Sequence, residues 1–137
     1  MYISEMKIGD SASMSKTVSE SDVYLFAGIT GDFNPAHVNE AESASGIFRG
    51  RIAHGILSAG FISAAIAMKL PGPGTIYLGQ ELRFTKPVRI GDTITATVTV
   101  TELQDEKNIA KLNTVCTNQR GEVIITGCAV VMPPRVS

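Results

Sequence analysis

At 137 residues, 44% of them hydrophobic and 18% charged, the chain fits one folded domain with a real core, not a disordered segment. Twelve basic against thirteen acidic residues, scattered and summing to −1, provide no basic stripe of the kind nucleic acid demands. No run approaches the ~20 apolar residues of a membrane span, and the opening MYISEMKIGD has mixed charge and no apolar stretch before a cleavage site, so it does not read as a signal peptide.

In chain order, Met14–Val18 reads as an edge strand. Ser19-Glu20-Ser21-Asp22 is a capping-box-like helix start with Val23, Phe26 and Ala27 behind it, and that helix ends near Gly28–Gly31. Gly31–Asn39, interrupted by Pro35, is turn or loop. Residues 55–70 are apolar nearly all round, which predicts a buried helix ~24 Å long, stopped by Pro71-Gly72-Pro73-Gly74. The period then changes to two. Thr93–Thr101 alternates Ile94, Ala96, Val98 and Val100 with five threonines, the clearest strand in the chain. Ile76–Phe84, Ala110–Thr117 and Val123–Val131 read as further strands. Four or five antiparallel strands with one buried helix predict an α+β domain over residues 1–137, its sheet wrapped around that helix. Open sheet edges favour pairing with a second copy, so a homodimer is expected.

Cys116 and Cys128 fall in consecutive strands. A turn at Asn118–Gly121 would set Cys116 opposite Val123 and Cys128 opposite Lys111, on opposite faces and out of disulfide range. Free thiols predict a reducing, cytoplasmic setting.

The chemistry is concentrated in Gly31-Asp32-Phe33-Asn34-Pro35-Ala36-His37. On a continuous helix Asp32 and His37 would point ~140° apart. Proline forces Asn34 out of the α region and sets a turn that can bring carboxylate and imidazole over one small volume. Asn34 is suited to holding that turn, and Gly31 to relieving crowding beside Asp32. Such a pair has what proton transfer needs. The same residues also make an ordinary helix-exit turn, so on spacing alone both readings stand. Gly55 opens the buried helix, and its free N–H at the positive end of the helix dipole could stabilise a carbonyl oxygen as it gains charge. Close packing at the helix start is a compatible second reason for that glycine. Histidines seventeen residues apart, without a neighbouring Cys or acidic residue at ligand spacing, predict no metal site. Neither a nucleophile elbow, a P-loop nor a GxGxxG is present.

Gly31-Asp32-x-Asn34-Pro35-x-His37 resembles the signature of the MaoC-like hydratases, (R)-specific enoyl-CoA hydratases and 3-hydroxyacyl-CoA dehydratases of the hotdog fold. Ala53-His54-Gly55, Ile76-Tyr77-Leu78-Gly79 and Phe84-x-x-Pro87-Val88-x-x-Gly91-Asp92 extend the likeness in order along nearly the whole chain. The resemblance implies a hotdog dimer acting on 2-enoyl-CoA thioesters of short to medium chain length, with no metal or redox cofactor. It carries Asp32 and His37 over as the acid–base pair. It puts Ser63 where several such hydratases have a serine near that pair, although a serine bonded to the preceding helical turn is an equal reading. His54 could contact the thioester, but packing or capping at the helix start is the better-supported reading for it. Asn34 is a further candidate contact. The rivals are a hotdog thioesterase, which would aim water at the carbonyl carbon, and an acyl-binding module without turnover.

Overall fold

The computed structural model describes residues 1–137. Its strands are β1 (Ser11–Thr17), β2 (Ile76–Phe84), β3 (Thr93–Gln104), β4 (Ile109–Thr117) and β5 (Val123–Met132). Its helices are α1 (Glu20–Thr30), the one-turn α2 (Pro35–Val38) and α3 (Glu40–Ser43), and α4 (Gly55–Met68). All five strands form one antiparallel sheet in the order β1-β3-β4-β5-β2.

The alternation in β3 decides which face of the sheet is inside. Ile94, Ala96, Val98 and Val100 are fully buried, and pack in one cluster with Ile62, Ala65 and Ile66 of α4, Leu112 of β4 and Ala129 and Val131 of β5. Each fully buried Val, Leu or Ile of this kind stabilises the fold by ~1.5–3 kcal/mol relative to its exposed state. The opposite face of β3 presents its threonines to β1, where Ser11–Thr99, Ser13–Thr97, Ser15–Thr95 and Thr17–Thr93 form cross-strand hydroxyl hydrogen bonds of 2.7–3.2 Å. Helix α4 has no charged residue, as its position inside the curled sheet requires. No helix is long and apolar enough to cross a membrane.

Three local expectations need correction. The edge strand begins at Ser11, earlier than the Met14 read from the sequence: Ala12 and Met14 face the core while Ser11, Ser13 and Ser15 face the β3 threonines, an alternation of small and hydroxylic residues that is weak in hydropathy. Gly31 has nothing within 4 Å of where a Cβ would stand, so crowding is not its role; it closes α1 in the left-handed region at φ 82°, its N–H donating to the Ala27 carbonyl. Between β4 and β5, Cys116 pairs with Ile125 and Cys128 with Asn113, two positions from the expected register. The connection is longer than a tight hairpin. Asn118 gathers it by accepting from the Arg120 and Glu122 N–H groups, and the pairing slips by one residue between Cys116 and Thr117. A two-residue shift keeps every side chain on its face, so Cys116 is buried, Cys128 is exposed and both are free.

Candidate active site

Helix α1 delivers the chain to the site. Its capping box is reciprocal, with the Ser19 hydroxyl accepting from Asp22 N–H and the Asp22 carboxylate from Ser19 N–H. After the Gly31 cap, the Asp32 carboxylate accepts from the Asn34 N–H at 3.2 Å. The Asn34 side chain caps α2 by accepting from the Ala36 N–H at 3.0 Å, ahead of Pro35 in the first helical position. This short capped helix puts His37 back over Asp32. Asn34 holds the turn and lines a neighbouring cavity that shares Phe48 with the one containing Asp32 and His37.

His37 Nδ1 lies 2.7 Å from the Ile52 carbonyl oxygen. A carbonyl only accepts, so Nδ1 carries the proton and donates, which leaves Nε2 as an acceptor. One donor atom from each of Asp32, His37 and His54 lies within 4.8 Å of the other two. That convergence was invisible in the spacing of the histidines. Within that group, His37 Nδ1 and His54 Nε2 each bond a backbone carbonyl, of Ile52 and of Asp32.

The pair opens into a cavity of about 500 Å³ whose further walls include the apolar Phe48, Ile52, Phe84 and Val88, the helix start at Gly55, and the polar Thr85 and Lys86. At its edge α4 begins with His54 as N-cap and Gly55 as the first helical residue. Neither the Gly55 nor the Ile56 N–H has a backbone acceptor. Gly55 also packs tightly: a Cβ there would stand 2.8 Å from Phe84 Cδ1. Both readings of this glycine therefore hold in one place. His54 is 1% exposed and makes no side-chain cap; its ring packs between Phe26 and His37. Ser63 lies eight residues into α4, ~12 Å from its start, and is not part of this cavity's wall.

The aromatic walls Phe48 and Phe84 were not singled out from sequence as site residues. The Phe84-x-x-Pro87-Val88 segment was the available signal, noted only as part of the family likeness. Arg51 was also missed. It donates to the Tyr24 hydroxyl and the Glu20 carboxylate at 2.6 and 2.7 Å, while its backbone N–H donates to Glu40, so it ties α1 and α3 to the segment bearing Ile52. The Arg51 guanidinium, with help from the Tyr24 hydroxyl, holds the Glu20 carboxyl below the usual range.

A family profile described as MaoC like domain matches residues 5–120. The chain belongs to the MaoC-like domain family. Among curated members it is 58% identical to the (R)-specific enoyl-CoA hydratase of Rhodospirillum rubrum, over 97% of this chain and 92% of that one. It is 43% identical to the 3-hydroxybutyryl-CoA dehydratase of Methylorubrum extorquens, over 98% and 85% of the two chains. Among solved structures, the unliganded R-hydratase of Pseudomonas aeruginosa superposes with a TM-score of 0.94 at 44% identity, over 98% of this chain and 86% of that one. This MaoC-like chain thus has the hotdog fold, a five-stranded antiparallel sheet curled around α4.

Proposed function

We propose that this protein is a hydro-lyase that adds water to trans-2-enoyl-CoA thioesters of short to medium chain length, giving (R)-3-hydroxyacyl-CoA, and runs the reverse dehydration. The observation that carries the reading is the meeting of Asp32, His37 and the free Gly55 N–H around one cavity walled in part by Phe48, Ile52 and Phe84. The names of the two curated relatives support the same activity.

The Gly55 N–H receives the thioester carbonyl oxygen and draws electron density from the double bond, leaving C3 electrophilic. A water held between Asp32 and His37 Nε2 gives a proton to one of them as its oxygen bonds to C3. The pair then returns a proton to C2, so one water is consumed and nothing is oxidised or reduced. No metal or cofactor is needed for that balance. Positioned acid–base groups contribute ~10²–10⁴ each, and an oxyanion donor ~10²–10³. The protein acts as a cytoplasmic homodimer in this proposal. Support comes from the free cysteines, from the edge strands β1 and β2, and from exposed Ile76, Tyr77 and Leu78 on β2.

The test is to follow crotonyl-CoA by loss of enoyl absorbance and, in parallel, by release of free thiol. The expected result is hydration without thiol release. Because both protons pass through one short turn, hydration in deuterated water should place oxygen and deuterium on the same face; the (R) hand of the product is expected from the named specificity of the Rhodospirillum rubrum relative. Thiol release at a comparable rate would establish thioesterase chemistry instead, and a predominantly (S) product would overturn the proposed stereochemistry.

A further inference from the structure

His54 is a buried ionisable side chain in the cavity wall that the hydration scheme does not use. It touches both members of the pair that the scheme does use. Its Nε2 lies 2.9 Å from the backbone oxygen of Asp32, and its ring stacks on His37 with centroids 3.9 Å apart and planes 28° from parallel. Phe26 packs against it from α1, 4.8 Å away and tilted by 54°.

A carbonyl oxygen only accepts, so His54 must carry its proton on Nε2. The other hydrogen bonds of Asp32 are local: its N–H donates to the Thr30 hydroxyl, and its carboxylate accepts from Asn34 N–H. Asp32 is exposed and sits in the short gap between α1 and α2. The bond from His54 is therefore what ties this residue to the body of the fold. His54 itself is anchored as the N-cap of α4, the most buried helix, and is 1% exposed. Its Nδ1 has no partner, and neither does the buried Ser58 hydroxyl four residues further along the same helix. A neutral ring protonated on Nε2 needs a donor at Nδ1, and a hydroxyl one turn away is of the right kind.

We infer that His54 is a positioning residue of the acid–base pair, donating Nε2–H to the Asp32 backbone while its ring fixes the plane of His37, and so setting the gap that holds the water. This rests on the hydratase reading above. It predicts a loss in turnover with little change in substrate binding, because misplacing a reacting group by ~1 Å costs on the order of 10²-fold in rate.

The experiment compares His54→Phe, which keeps a flat ring but removes the donor, with His54→Gln, which restores an N–H near the Nε2 position. Kinetics on crotonyl-CoA are expected to show kcat of His54→Phe lowered roughly 10- to 100-fold, KM within about twofold, and His54→Gln recovering several-fold. Folded His54→Phe within twofold of wild-type kcat would overturn the inference, as would a loss confined to KM or a His54→Gln variant no better than His54→Phe. Nitrogen-15 NMR of the wild-type protein supplies a measurement independent of any variant's folding: His54 should be protonated at Nε2, and protonation at Nδ1 alone would overturn the assignment. Asp32→Asn and His37→Gln, assayed beside these, separate the two levels. If they retain turnover the hydratase pair itself is wrong; if they are inactive while His54→Phe is not, only the positioning role fails.

Discussion

Replacing Gly55 by alanine perturbs the proposed carbonyl site without touching either ionisable residue. The added Cβ would lie 2.8 Å from Phe84 Cδ1 and 2.9 Å from Cε1, whereas carbon atoms settle at ~3.5–4.0 Å. Roughly an ångström of movement must therefore be shared between the start of α4 and the Phe84 ring. The ring is 54% exposed and can give way, so the stability cost should be near the low end of the ~1–3 kcal/mol typical of overpacking. Both groups border the cavity, and a displaced Gly55 N–H no longer meets the carbonyl oxygen. A full ångström at the N–H would cost on the order of 10²-fold in kcat, ~2.7 kcal/mol of barrier, so with part of the movement taken by the ring the expected loss lies between several-fold and that limit. The assay is a double-mutant cycle on crotonyl-CoA hydration with Gly55→Ala, Phe84→Ala and the pair. Removing the ring removes the clash, so Gly55→Ala should cost far less kcat in the Phe84→Ala background than alone. Unchanged kcat in the single Gly55→Ala variant would refute the role given to the helix start, and an equal loss in both backgrounds would refute Phe84 as the reason for the glycine.

Burial pushes the Cys116 thiol up to about 12, so in the native protein near pH 8 a thiol alkylating reagent should modify Cys128 alone, with both sites reacting after denaturation; mass spectrometry showing native labelling at Cys116 would contradict its placement. The sign of the accompanying linkage follows from the raised value. Cys116 stabilises the fold fully below its unfolded pKa, and that contribution is lost as pH rises from there through about 12, so alkaline unfolding of Cys116→Ala should show a weaker pH dependence than wild type in that window. Sedimentation at micromolar concentration should show a dimer, and a monomer there would remove the proposed cover for β2.

Strand β3 was legible because burial on one side leaves a plain periodic mark, and α4 because a long apolar run ends at Pro71; the exposure of Ile56 and Met68, beside buried Ile62 and Ile66, was not legible. The turn from Gly31 to His37 was legible because Gly, Asn and Pro there carry backbone instructions, although the reason for Gly31 proved to be its positive φ. Other features leave no local mark. The bulge between Cys116 and Thr117 depends on how Asn118 gathers the turn beneath it. Phe48 and Phe84 meet at the cavity only after the chain has crossed the sheet, and the pairing of His54 with the Asp32 backbone spans 22 residues. Ser63, a position suggested by resemblance alone, lies two turns up α4 and outside this cavity's wall.

The central claim is that Asp32 and His37 move the protons of hydration. Its most direct test is kcat for crotonyl-CoA in Asp32→Asn and His37→Gln. Both substitutions keep near-native shape: asparagine retains an oxygen for the Asn34 N–H, and glutamine a donor for the Ile52 carbonyl. Each variant should fold with wild-type circular dichroism and lose at least ~10²-fold in kcat, as removal of a group acting in the transition state requires. Near wild-type turnover in either folded variant would contradict the account.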